Sequence, residues 1–409
     1  MNPVRAAWIV NRSRLGIRRT SVPKVAAVPE EVTPVFNDAA CVKFAIIGCG
    51  RIAGRHVEAV LAQDCAECVA LCDIDTGRAA EIASKFNLRA RVYANYHDML
   101  KRERVDVVSI MTPSGMHAEH AVEIAEVYGK HLVVEKPLAL RLTDARSLVD
   151  ACAKKGVCLF PVHQNRFNGA VQALRGHVAR NVLGDIIMAT VRIRWSRPQR
   201  YYDQAPWRGT WALDGGVLAN QGIHYIDLLR WLAGDVESVC FRGRAMLARI
   251  EAEDTAVGWL RFTNGALGAV EATTAMRPEH QDQEASVSLL GSRGHAIVDG
   301  PAANRLRLYA DSVADNVIEV GEEFANVYGV GHNLLVRNVV ETLMGKTVPL
   351  VTGEDALRSL QLLHACYASI EQDGREVFLA DEPVSANLGR VTQTTAPLQQ
   401  LYRTRAKEA

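Results

Sequence analysis

The apolar positions of this chain change their period part-way along it. Over 42–48, 66–74, 105–111, 131–135 and 157–162 they form short, continuous runs bounded by glycine, proline or charge. Such runs predict strands buried on both faces of a parallel sheet. Between them lie stretches with helical spacing, to about Gln63, over 116–128 and over 143–155. Alternating β and α predicts a doubly wound α/β Rossmann domain, with ligands at the carboxyl ends of its strands.

Beyond Gln164 the period becomes two. Ile187, Ala189, Val191, Ile193 and Trp195 alternate with Met188, Thr190, Arg192 and Arg194, giving one apolar and one polar face. Strands over 255–262 and 266–274 flank Asn264-Gly265, a hairpin signal. Runs over 285–290 and 296–299 flank Gly291-Ser-Arg-Gly294, and 306–310 adds a further strand. These hairpins predict an α+β domain with an antiparallel sheet and helices on one face. The expected layout is a basic extension over 1–40, a dinucleotide-binding domain over 41–162, an α+β substrate and oligomerisation domain over 163–380, and a polar extension over 381–409.

Composition narrows the class. Of 409 residues, 48% are hydrophobic and 23% charged, enough to fill one or two cores and too apolar for a mainly disordered chain. A formal charge of +1 gives no global reason to bind nucleic acid or an acidic membrane. No apolar run approaches the roughly 18 to 20 residues that span a bilayer. The nine cysteines are no disulfide framework. Cys65, Cys68 and Cys72 lack the second ligand pair that zinc requires. Reduced thiols fit the cytoplasm. The first 40 residues carry six Arg or Lys before Glu30 and four prolines, so a basic tail is expected over a transit peptide.

Chemistry enters at Gly48-Cys-Gly50-Arg-Ile-Ala53, which follows a strand and opens a helix. Gly48 permits the tight turn, Gly50 lets backbone approach a pyrophosphate, and Ala53 keeps the helix close to the sheet. The diphosphate then meets free N–H groups and the positive helix end. Asp73 stands 20 residues after Ala53, placed to accept both adenosine ribose hydroxyls and repel a 2′-phosphate. NAD is favoured over NADP, with Arg78 as the contrary sign. Thr112, Pro113, Glu135 and Lys136 sit at other strand ends. Further along, a helix is expected between Asp214 as N-cap and Gly234 as stop. Asn220, His224 and Asp227 share one stripe of it, either as functional groups or as a hydrogen-bonded structural network. His117 and His120 lack H-E-x-x-H, and no metal is expected.

The glycine turn, Thr112-Pro113 with His117, Glu135-Lys136-Pro137, and Gly215-Gly216 leading to His224 and Asp227 together resemble the Gfo/Idh/MocA oxidoreductases over about 42–379. The resemblance implies a Rossmann domain joined to an open-faced, mainly antiparallel sheet, and a homodimer or homotetramer. Where the family often has aspartate, four residues before the histidine, this chain has Asn220. That departure, with Gln164-Asn-Arg-Phe-Asn168, Arg197 to Asp203 and Trp207-Arg-Gly-Thr-Trp211, is similar to the branch that oxidises C3 of UDP-N-acetylglucosaminuronate, including the WlbA and WbpB enzymes.

The resemblance implies a coenzyme site of Gly48, Gly50, Arg51, Ile52, Asp73, Thr112, Pro113, His117, Glu135, Lys136 and Gln164. It implies that His224 and Lys136 approach one substrate carbon and that Asn220 orients the hydroxyls. His224 is suited to general-base work and Lys136 to stabilising the reacting oxygen, or itself to act as base if burial lowers its pKa. For the charged groups of a nucleotide sugar, Arg166, Arg194, Arg197 and Arg208 are available, with Tyr201 and Trp207 to cover the sugar or base and His332 at the start of a helix. A free sugar or inositol dehydrogenase and a silent NAD-binding regulator are the alternatives.

Overall fold

The structure is a computed structural model that describes residues 41–277, 284–300, 302–312, 317–321 and 329–408. The basic extension expected over 1–40 lies outside them. Six parallel strands form the first sheet: β1 (Val42–Ile47), β2 (Ala66–Cys72), β3 (Arg91–Tyr93), β4 (Val107–Ile110), β5 (His131–Val134) and β6 (Leu159–Pro161), in the order β3-β2-β1-β4-β5-β6. Apart from β3, an exposed to half-buried edge strand, their apolar runs are buried on both faces, by α1 (Ala53–Leu61), α2 (Thr76–Lys85), α3 (Tyr96–Arg102), α4 (His117–Glu123) and α5 (Leu142–Lys155). Strand order reverses between β1 and β4, which opens a crevice at their carboxyl ends. The helix expected over 116–128 is less regular, with a 3₁₀ turn at Ser114–Met116 and a π turn at Ile124–Tyr128 around α4. All nine cysteines are free, and Cys68 and Cys72 are buried within β2.

The second sheet holds β7 (Ile186–Arg194), β8 (Val236–Arg244), β9 (Thr255–Phe262), β10 (Leu267–Thr273), β11 (Glu284–Gly291), β12 (Gly294–Asp299), β13 (Arg305–Ala310), β14 (Val317–Gly321) and β15 (Val377–Phe378). Its order is β14-β13-β12-β11-β7-β10-β9-β8-β15. The hairpins are antiparallel as expected, but β10 runs parallel to β7, so the sheet is mixed. Ala189, Val191 and Ile193 are buried from β7, whereas Ile187 is exposed. The buried face packs on α6 (Gly169–Ala179), α8 (Ile223–Ala233) and α10 (Gly353–Glu371). A single turn, α7 (Gln199–Tyr202), follows β7.

One helix departs from the expected layout. α9 (Gly331–Leu343) falls within 163–380, yet Leu335, Val336, Val339 and Leu343 are buried with Val42, Phe44 and Val57 of the Rossmann core. Gly331 allows that approach, because a Cβ there would stand 2.6 Å from the Gln164 carbonyl oxygen. The segment expected as a polar extension carries a helix, α11 (Ala396–Glu408). Among the described residues no helix is long and apolar enough to cross a membrane.

Candidate active site

The coenzyme crevice is built from strand ends. Gly48 ends β1 at φ +93°, where a Cβ would lie 2.6 Å from the Met111 carbonyl carbon, so only glycine fits. Gly50 has nothing within 4 Å of where its Cβ would be, which leaves its backbone open to a ligand. Asp73, at the end of β2, accepts from the Cys49 N–H at 2.7 Å and the Asp75 N–H at 2.8 Å. Gly48, Gly50, Arg51, Asp73, Thr112 and Pro113 all line one cavity of about 530 Å³. A second, of about 200 Å³, is lined by Gly50, Arg51, Ile52, Thr112, His117, Glu135, Lys136 and Gln164. The Gln164 Oε1 is buried without a protein partner, an acceptor that the carboxamide N–H of a nicotinamide would satisfy. These residues fit a dinucleotide.

Two of these groups are held by others. The His117 ring lies between the Thr112 and Pro137 carbonyl oxygens, 2.8 Å from each, and so links the loop after β4 to the loop after β5. Burial holds its pKa below the ordinary value against those two acceptors. Glu135 accepts from His56 Nε2 at 2.9 Å, with His332 Nε2 at 3.6 Å. Burial works to raise its pKa, but the contacts with His332 and His56 prevail and hold it well below the carboxylate range. The three ligand atoms lie within 4.8 Å of one another, a spacing a metal ion could use, and a hydrogen bond joins His56 to Glu135 within the cluster.

The second cavity also receives groups from the α+β region. Asn220, His224, Tyr201, Trp207, Arg208 and His332 line it beside Lys136. The Lys136 ammonium donates to the Asn220 carbonyl oxygen at 2.9 Å and to Oδ1 at 3.3 Å. Asn220 Nδ2 donates to Asp214 Oδ1 at 2.6 Å, and Asp214 Oδ2 accepts from the Gly209 N–H at 2.8 Å. A carboxylate thus stands one residue behind Asn220. Burial lowers the Lys136 pKa and raises that of Asp214. Burial, then the Lys136 charge, holds His224 well below its ordinary value, so its imidazole is neutral. Tyr201 packs under the Arg208 guanidinium at 4.4 Å, accepts from it at 2.7 Å, and has Arg197 at 5.0 Å.

The helix bearing Asn220 and His224 does not start as expected. Asp214 is not its cap. Instead the Glu253 carboxylate accepts from the Leu218 N–H at 2.8 Å and the Tyr367 hydroxyl at 2.9 Å, while its carbonyl accepts from the Val217 N–H at 2.8 Å. Gly215 turns at φ +83°, and a Cβ on Gly216 would lie 2.1 Å from Glu253 Oε2. The paired glycines are therefore a close-approach motif. Burial pushes Glu253 up to about 7. A π turn at Leu218–Gly222 precedes α8, a local widening common at functional sites.

Two expected substrate residues are not in the cleft. Arg166 is fully buried and donates two 2.7 Å bonds to Asp227, with Asp355 at 3.4 Å. Both Asp227 carboxylate oxygens are taken up by Arg166, so the two residues form a structural network. Arg194 pairs with Glu271 at 2.5 Å and Glu284 at 3.6 Å along the sheet and lines neither cavity. Conversely, Asp214, Trp195 and Tyr225 line the second cavity without having been singled out for it, and Arg197 joins them. Asp214 was legible as an acid in a glycine-rich turn; Trp195 and Tyr225 carry no signal beyond strand and helix patterning.

Two family models match: an oxidoreductase NAD-binding Rossmann fold at 42–163 and an oxidoreductase C-terminal alpha/beta domain at 175–378. The chain belongs to the Gfo/Idh/MocA oxidoreductase family. It is 30% identical over 369 residues to D-apiose dehydrogenase of Paraburkholderia graminis, covering 87% of this chain and 93% of that protein. It is 25% identical to myo-inositol 2-dehydrogenase of Thermotoga maritima, over 81% of this chain and 96% of the relative. Among solved structures it resembles the WlbA dehydrogenase of Bordetella pertussis in complex with NADH and UDP-GlcNAcA, at 38% identity and TM-score 0.73, over 83% of this chain and 98% of that one. The Chromobacterium violaceum WlbA dehydrogenase with the same two ligands gives 37% and 0.75, over 85% and 98%. The protein is therefore an NAD-dependent oxidoreductase acting on a CH–OH group.

Proposed function

We propose that this enzyme oxidises C3 of a UDP-linked N-acetylglucosaminuronate. The observation that carries the reading is the Lys136 ammonium, pinned by Asn220 on the wall of the cavity that also presents His224. NAD accepts the hydride when bound. His224, neutral and buried, takes the hydroxyl proton, and the Lys136 charge stabilises the oxygen as negative charge develops on it. Asn220 fixes the amine, and Asp214 fixes Asn220. The lowered Lys136 pKa favours a second assignment of the proton, to Lys136 itself.

The substrate class follows from charge and likeness. Arg51, Arg197 and Arg208 add cations to a cavity whose acids, Glu135 and Asp214, already have partners. Excess positive charge suits a diphosphate and a carboxylate. The likeness to proteins solved with UDP-GlcNAcA points the same way. The curated relatives favour a second reading, a free sugar or inositol as substrate. The nucleotide-sugar reading assigns the reaction to the supply of amino-sugar precursors of a surface polysaccharide, in the cytoplasm. It expects a homo-oligomer, which the exposed Val257, Trp259 and Leu267 on the uncovered face of the second sheet support.

NADH formation across UDP-uronates, UDP-hexoses, D-apiose and myo-inositol tests the reading. UDP-N-acetylglucosaminuronate should be turned over fastest. Turnover of a free polyol with none for any UDP-sugar would replace the first reading by the second.

A further inference from the structure

The second family match ends at residue 378, but the chain that follows is tied down. Ser385 N–H donates to His364 Nδ1 at 3.1 Å, and Gly389 N–H to the Trp211 carbonyl at 2.8 Å. Thr392 and Thr395 exchange backbone-to-hydroxyl bonds at 2.8 and 3.2 Å, fixing the turn into α11. From α11, Leu398 and Tyr402 pack against the cluster of Met116, Ala212 and Leu213, on which Trp207 also packs. Arg403 donates to both carboxylate oxygens of Glu119 on α4, at 2.8 and 2.9 Å. The helix therefore bridges the Rossmann region and the loop that carries Trp207. Tyr402 lines the same cavity as Asp73, Arg78 and Thr112.

We propose that α11 is the outer wall of the coenzyme site, and that Tyr402 retains bound NAD(H). A broad apolar ring with a polar tip suits a wall that faces a ligand on one side and water on the other. Its fastening is weak enough to open. The Arg403–Glu119 pair is about half exposed, and such pairs contribute little. Coenzyme exchange then requires α11 to swing away from Met116 and Leu213, so this chain holds its coenzyme longer than the two family domains alone would. The inference rests on the NAD assignment and is independent of which sugar is oxidised.

Stopped-flow fluorescence of NADH release, without any sugar present, tests it. Tyr402→Ala, and a chain ending at Thr395, should each release NADH about tenfold faster than the full chain, as expected for loss of one aromatic contact. Arg403→Glu should also speed release, and Arg403→Glu combined with Glu119→Arg should restore slow release. Unchanged release in Tyr402→Ala, in protein with a native melting curve, would overturn the proposal. That variant decides alone should the shortened chain lose its cooperative melt.

Discussion

Two polar clusters share one helix and have opposite characters. At the start of α8, Asn220 and His224 face a cavity with Lys136, and the groups there are only partly satisfied: the His224 Nδ1 is buried without a partner. One turn on, Asp227 faces the interior, where Arg166 and Ser359 supply three bonds of 2.6 to 2.7 Å. Both clusters are polar stripes on an apolar helix. What separates them is the cavity: Asn220 and His224 line it, whereas the Asp227 oxygens are taken up by Arg166 and Ser359 away from it. A carboxylate bonded on both oxygens stabilises one packing arrangement, whereas polar groups on a cavity wall are placed to take a ligand.

The comparison can be broken from either side. The largest effect is expected in the cleft. Lys136→Met and His224→Ala should each lower turnover by about 10² to 10⁴-fold while NADH still binds and the melting temperature barely moves. Wild-type turnover in either variant removes that residue from the proton path. Because burial and Lys136 keep the His224 imidazole neutral, the pH profile should show no bend at the ordinary histidine value of 6.5. On the scaffold side, Asp227→Ala strands the Arg166 charge and should cost about 3 to 5 kcal/mol in urea unfolding. A loss well below that would mean the network is not the anchor described.

The smallest effect sharpens the boundary between the clusters. Glu253 caps the same helix from a position with no charged partner among its hydrogen bonds, and its pKa is pushed from 4.5 to about 7. Between those values the native state binds the proton more tightly than the unfolded chain, so stability falls as pH rises through that window. Glu253→Gln should abolish this slope, with a gain of roughly 1 to 2 kcal/mol at about pH 8 and little change near pH 5. Parallel pH dependence in both proteins would show that another group sets it.

Legibility followed the range of the interactions. Most of the Rossmann half was readable because five of its strands lie in apolar runs and several of its turns carry glycine or proline; β3, Arg91-Val-Tyr93, has no such run and was not foreseen. The Gly48 to Asp73 constellation was readable for the same reason: its parts are close in sequence. Arg166 and Arg194 were misassigned because a guanidinium near aromatic residues gives no sign of the carboxylates that claim it, Asp227 61 residues away and Glu271 77 away. Asp214 read as a cap because the true cap, Glu253, comes from a distant loop. The parallel pairing of β7 with β10 and the docking of α9 on the Rossmann core were hidden by the same separation. The packed helix after 395 was hidden because its few apolar residues sit in a polar segment.

That parallel pair has a consequence for how the protein is made. β7 lies between β10 and β11, and both follow it by a long stretch of chain. The middle strand of the second sheet therefore stays unpaired on both edges until β10 is made, and on one edge until β11 follows. Pairings of such sequence separation are slow to close. Synthesis interrupted before Gly291 leaves that strand without one of its lateral partners, and nascent chains of that length should be far more sensitive to proteolysis than the finished enzyme.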